Sequence, residues 1–138
     1  GKLISIMTFG KRNLGKSCQF ELLRFCSILN TNVVGGASKL FSYFLKTNRP
    51  ERVVSYSSCD ISQGNLYSVL GFKEGEHYIN YWWSNNSNRY PRNRFMKHKL
   101  VKEGFDPNKS EDEIMRERKY KKIYGTGNIK YEYINKLK

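Results

Sequence analysis

Acidic residues are scarce in this chain. Twelve Asp and Glu stand against twenty-five Lys and Arg, leaving a formal net charge of +13 over 138 residues. Such an imbalance points to a polyanionic partner, nucleic acid first and an anionic membrane surface second. A basic surface with no partner is the plain alternative. Cysteine is scarce too: Cys18, Cys26 and Cys59 are an odd number with no C-x-x-C pair. That argues against a zinc knuckle and a disulfide framework and fits a reducing compartment such as the cytoplasm. No apolar run approaches the roughly 20 residues of a membrane span, and no signal-peptide pattern is visible, so no membrane-spanning segment is expected and nucleic acid, with no membrane, is the expected partner.

What the chain does have is aromatic weight. Phe, Tyr and Trp make up 14% of it, which argues for a packed core and against disorder despite the many Lys, Asn and Ser. The length suits one domain. The Gly1-Lys2 opening reads as the second half of a hairpin turn, so a further strand is expected upstream.

The organising stretch is Leu22–Leu40. An apolar strand, Phe20–Ser27, runs into a loop of small residues, and a helix, Ser38–Thr47, follows with Leu40, Phe41, Phe44 and Leu45 on one face. The near-continuous apolar character of the strand predicts a buried central position. Backbone N–H groups of small residues at a helix start suit a phosphate; an ordinary strand-to-helix turn explains the same glycines.

Before this stretch, Leu3–Phe9 reads as a strand and Gly10–Ser17 as a basic loop containing Lys11, Arg12 and Lys16. After it, Arg52–Ser57 is a third strand, Asn65–Leu70 a short helix stopped by Gly71, and Phe72 a core residue. His77–Trp83 predicts an aromatic strand. Arg89–Lys102 then carries six positive charges and no acid in fourteen residues. Ser110-x-x-Glu113 is a capping box opening a helix over about Glu111–Arg118. Lys119, Lys121 and Lys122 follow, then a glycine turn, and Ile129–Ile134 alternates apolar and charged residues. There is no internal repeat and no long linker.

Two sets of residues carry a resemblance. Asn32-Val33-Val34-Gly35-Gly36-Ala37 resembles the R/Q-x-x-G-x-G/A pyrophosphate loop of GCN5-related N-acetyltransferases, with Asn32 where Arg or Gln is usual. Leu66-Tyr67-Ser68-Val69-Leu70-Gly71-Phe72 resembles that family's L-Y-x-x-L-G-F signature. Both lie in the family's order, within about Leu3–Trp83. Over nearly its whole length the chain is also similar to a domain near the C-terminus of phage-encoded homing endonucleases. The segments are Thr8-Phe9-Gly10-Lys11, Glu21–Phe25, Val33–Leu40, Ser55-Tyr56-Ser57, Gly64–Tyr67, Leu70-Gly71-Phe72, Ser110–Met115 and Ile123–Gly127. In those proteins the cutting module lies upstream. Phage DNA-modifying Mom-like proteins share a related core.

The resemblance implies an α+β fold with an acetyltransferase-like, mostly antiparallel mixed sheet flanked by helices. It implies a core over residues 1–88, lacking the family's N-terminal part, and a basic extension over 89–138 packed on the same domain. It further implies that Gly35, Gly36, Ala37 and Ser38 would contact the pyrophosphate of acetyl-CoA, that Tyr67 would protonate a leaving thiolate and that Glu21 would act as base. Tyr67 reads equally as a core tyrosine with a satisfied hydroxyl, and Glu21 as a surface partner of Arg24. Asn32 lacks the charge assistance an arginine gives a phosphate.

Nuclease chemistry needs clustered ligands for a cation. No H-N-H arrangement, GIY…YIG pair or LAGLIDADG helix is present, His77 and His98 are isolated, and Asp60 beside Cys59 has no ligand spacing around it; no metal is expected. DNA binding has the densest support: Lys11, Arg12, Arg89, Arg92, Arg94, Lys97, Lys99, Lys119, Lys121 and Lys122 as phosphate contacts, with Tyr90, Phe95, Tyr120 and Tyr124 interleaved as base stackers or loop anchors. The expected function is a DNA-binding or target-engaging domain of a phage homing endonuclease, acting in the host cytoplasm beside an upstream nuclease domain. An acyl-CoA-dependent N-acyltransferase is the other reading.

Overall fold

In the computed structural model, residues 1–12, 19–62 and 64–136 are described. Lys16 and Cys18, named above, lie outside them. In chain order the elements are β1 (Ser5–Arg12), β2 (Gln19–Ser27), α1 (Gly36–Asn48), β3 (Arg52–Ser58), α2 (Asn65–Val69), β4 (Lys73–Tyr78), β5 (Tyr81–Ser84), β6 (Arg89–Pro91), a 3₁₀ turn at Arg92–Arg94, α3 (Lys97–Lys102), α4 (Glu111–Glu117), β7 (Lys121–Tyr124) and β8 (Asn128–Ile134). The fold is α+β. Its contacts group into two units: Gly1–Tyr78 with Asn128–Lys138, and Ile79–Gly127.

The first unit is a five-stranded sheet in the order β1-β2-β3-β8-β4. Only β2 and β3 run parallel, because α1 crosses over between them and returns the chain in the same direction. The apolar stripe of α1 drives this packing: Phe41, Phe44 and Leu45 are buried against Leu22, Val53, Leu70, Phe72 and Tyr131. Phe9 stacks flat on Phe44, and Phe41 meets Tyr133 edge-on. Alternation along the strands places Arg12, Arg52, Tyr56 and Glu132 on the other face. There Arg12 donates to the Tyr56 hydroxyl at 2.8 Å, and Arg52 pairs with Glu132 at 3.1 Å.

The second unit is a small antiparallel sheet, β6-β5-β7, with α3 and α4. Its core is separate: Trp83, Phe95, Leu100, Ile114 and Met115, bordered by Tyr81, Tyr90, Phe105 and Tyr120. The expected capping box opens α4. Ser110 Oγ accepts from the Glu113 N–H at 3.2 Å, and the Glu113 carboxylate accepts from the Ser110 N–H at 2.7 Å. The Ser110 N–H and the Ser110 hydroxyl both donate to that carboxylate at 2.7 Å and hold the Glu113 carboxyl below its ordinary value.

Four expectations meet a different arrangement. Gly10, Lys11 and Arg12 continue β1 rather than opening a loop, paired with Glu21, Phe20 and Gln19. β2 is interior in the sheet yet buries only Leu22. A bulge between Thr8 and Phe9 leaves Leu23 without a partner in the register, and Leu23 is 55% exposed. The aromatic run His77–Trp83 is two strands, not one: β4 ends at Tyr78, β5 starts at Tyr81, and they belong to different sheets. The division at residue 88 also falls between β5 and β6, which pair with each other. The last strand, placed in the basic extension by sequence, completes the first unit's sheet between β3 and β4.

Candidate functional site

The ten basic candidates divide between the units. Lys11 and Arg12 belong to β1; the other eight lie in the second unit. Arg12 is engaged by Tyr56 and lies 3.9 Å from Glu21. Its bond to Tyr56, with smaller support from Glu21, raises the guanidinium further above its ordinary value.

The second unit sorts its cations into two groups. Some are committed to carboxylates. Lys122 is 2.6 Å from Asp112 and sits over the rings of Tyr81 and Trp83, Arg92 is 3.6 Å from Glu111, and Lys109 is 2.7 Å from Glu117. Glu111 organises this side. Its Oε1 accepts from the Tyr81 hydroxyl at 2.8 Å and from the Trp83 indole N–H at 3.0 Å. Burial, and then the bond to Glu111, push the Tyr81 phenol up to about 12.

Other cations are held by rings and have no carboxylate partner among the described residues. The Arg89 guanidinium carbon is 4.7 Å from the centroid of Trp82, and that of Arg94 is 4.7 Å from Tyr90. Arg118 lies among Phe95, Phe105 and Tyr120. An arginine fixed this way keeps its planar donors available while its side-chain freedom is already reduced. Lys97, Lys119 and Lys121 are exposed and make no ion pair among the described residues. Lys99 is also exposed but donates to the Asn93 carbonyl at 2.6 Å, which braces the 3₁₀ turn carrying Arg92 and Arg94. Lys119 is held at φ 62, in the left-handed region, at the end of α4; the Tyr120 N–H donates to the Met115 carbonyl across that turn.

Tyr90, Phe95 and Tyr120 border or fill the second core and meet one another at ring-centroid distances of 5.3–6.0 Å. Their position is that of anchors. The ring that sequence reasoning passed over is Trp82. Strand alternation carries the signal: in Tyr81-Trp82-Trp83, a buried Trp83 places Trp82 on the opposite face.

The two proposed catalytic residues are not brought together. Tyr67 lies on the core face, where its hydroxyl is 3.0 Å from Ser55 Oγ and its ring stacks on Tyr131 at 4.4 Å. Glu21 is the strand neighbour of buried Leu22 and so lies on the other face, near Arg12. Around Tyr67, β2 and β3 stop pairing. Their register runs only over Gln19↔Arg52, Phe20↔Val53 and Glu21↔Val54, although both strands continue. Ser55 bridges the next position, donating to the Leu22 carbonyl at 2.7 Å.

Gly35 is the N-cap of α1 at φ 70, with no side-chain cap and no acid in the first turn. Gly36 is buried; a Cβ there would meet Val33 at 3.0 Å. Beside this turn, Ile4, Val33, Leu40, Lys39 and Tyr43 line a groove of about 410 Å³. Backbone N–H groups of Ala37 and Ser38 at an uncapped helix start are compatible with a pyrophosphate.

Among the described residues, no three His, Cys, Asp or Glu side chains converge to hold a metal ion, and Cys26 and Cys59 are free, exposed thiols. No helix among them is long and apolar enough to cross a membrane. No protein-family model matches the chain, and no curated protein shows significant similarity to it.

Proposed function

We propose that this chain binds DNA as a target-engaging domain of a phage homing endonuclease, the kind of protein its sequence resembles, and that its second unit makes the contact. The observation that carries this reading is the pair Arg89 and Arg94, each held on an aromatic ring with no carboxylate partner among the described residues. Lys97, Lys119 and Lys121 add exposed charge in the same unit, with no ion pair among the described residues. Contacts of this kind go to phosphates and set affinity without reading sequence. A gel-shift titration at rising salt tests it. The expected result is binding at low salt that falls linearly on a log–log plot; absence of binding at low salt, or a flat salt response, refutes it.

A second reading, acyl-CoA-dependent N-acyl transfer on an acetyltransferase-like core, is favoured by one arrangement. Parallel β2 and β3 part after three pairs, between the small-residue loop and Tyr67. Acetyl-CoA would be held by the backbone of Gly35, Gly36, Ala37 and Ser38 and would supply the activated acyl group. Tyr67 would be the proton donor nearest the parting of the strands, whereas Glu21, on the opposite face, has no part in it. Calorimetry with acetyl-CoA tests this reading. Heat of binding, with turnover lost in Tyr67→Phe, supports it; no heat and no thermal shift remove it.

A further inference from the structure

In the second unit one face of the small sheet carries a half-buried indole, Trp82, that phosphate contacts do not account for. Trp83 is buried in the core with Phe95, so its neighbour Trp82 lies on the outer face of the β6-β5-β7 sheet. Its cross-strand partners there are Pro91 and Ile123, and Ile123 is 41% exposed. Ser84, one pleat further on, pairs with Arg89 and Lys121, so these two cations flank the same face. The Arg89 guanidinium sits over the indole. Gly125 passes close along the ring: a Cβ at that position would come within 3.1 Å of Trp82. The indole is thus fixed by backbone along its edge and by a guanidinium over its ring.

We infer that this face, Trp82 with Arg89, Pro91, Ile123 and Lys121, is a stacking site for an unpaired nucleobase, and that the partner is a single-stranded segment of nucleic acid. The inference rests on the nucleic-acid reading above and narrows it. Charge complementarity selects the occupant, since the apolar centre is rimmed by Arg89 and Lys121 and neither pairs with a carboxylate among the described residues. A flat aromatic and guanidinium surface meets the face of a base, and in a duplex that face is covered by the neighbouring pair. A duplex would meet only the cations.

The test uses the whole chain and two labelled probes, a thymidine-rich single-stranded DNA of about a dozen nucleotides and a duplex of equal length, followed by fluorescence anisotropy. Trp82→Ala should weaken the single-strand complex roughly ten-fold or more and the duplex complex clearly less, since Arg89 loses its ring but keeps its charge. Trp82→Phe, which keeps a ring and guards against a folding defect, should retain most single-strand affinity. Intrinsic tryptophan fluorescence should fall as the single strand is added to the natural chain, and much less with Trp82→Phe. Equal losses on both probes, or no loss on the single strand, overturn the stacking site while leaving charge-driven binding standing. Failure of both probes to bind the natural chain overturns both readings.

Discussion

The Tyr81 hydroxyl and the Glu111 carboxylate are joined by a 2.8 Å hydrogen bond, and the same carboxylate oxygen also accepts from the Trp83 indole. One side chain at the first turn of α4 therefore ties that helix to the central strand of the small sheet. Glu111→Ala leaves both donors without their acceptor and should cost about 2 kcal/mol or more. Glu111→Gln, which keeps an acceptor, should cost less. Urea denaturation followed by tryptophan fluorescence compares them.

The same pair predicts an alkaline weakness. Tyr81 is raised from 10.0 to about 12, chiefly by burial and then by Glu111. The folded state therefore holds its phenolic proton more tightly than the unfolded state. This stabilisation is complete below about pH 10 and is lost as pH rises toward 12. Phenolate absorbance should show a late-titrating tyrosine that disappears in Tyr81→Phe and moves back toward 10 in Glu111→Gln. Burial also raises Tyr78 and Tyr131, so the early part of that titration should be depleted as well.

Gly64 precedes α2 at φ 75, and a Cβ there would collide with the Tyr131 hydroxyl. Gly64→Ala combines left-handed backbone strain with that collision and should destabilise the first unit by about 2 kcal/mol or more. Gly104→Ala, at φ 98 with open space around it, meets only the backbone term and should cost less. Thermal unfolding of the two variants separates the effects.

Lys119 occupies a left-handed position that helices usually give to glycine. Lys119→Gly should therefore raise stability by up to about 1 kcal/mol while lowering affinity for DNA. A variant that gained stability and kept full affinity would show that this lysine contacts no phosphate.

Lys121 and Lys122 are neighbours in sequence with opposite commitments. Lys121 is exposed and makes no ion pair among the described residues, whereas Lys122 is bound to Asp112 over two aromatic rings. Lys121→Ala should reduce the salt slope of DNA binding by about one unit and leave stability unchanged. Lys122→Ala should do the reverse, lowering stability with little change in slope.

Several of these features were legible in the residues. The stripe of Leu40, Phe41, Phe44 and Leu45 located α1, Ser110-x-x-Glu113 located the start of α4, and Gly71 and Phe72 marked the end of α2 and its return to the core. Each is a local signal with a local cause. What sequence did not disclose was partnership. His77–Trp83 carries strand-forming residues throughout, and nothing in its pattern says that Ile79-Asn80 separates two sheets. Alternation in Ile129–Ile134 predicted a strand but not that it would pair between β3 and β4. Counting charge identified the basic segment correctly but treated its members as equivalent. Only placement separates Lys122, neutralised by Asp112, from Arg89, held by a ring.

The return of β8 to the first sheet has a consequence for how the second unit is anchored. Tyr78, the last residue before that unit, is paired directly with Asn128, the first residue after it. Both ends of the intervening chain are therefore pinned at neighbouring rungs of one ladder, as a cross-link would pin them. Once β4 and β8 have paired, the loop-closure entropy of the segment, on the order of 3 kcal/mol for a loop of this length, has already been spent. Its small core then folds as a tethered ring rather than as a free peptide, and a cut anywhere within 79–127 should cost it more stability than the contacts at the cut would suggest.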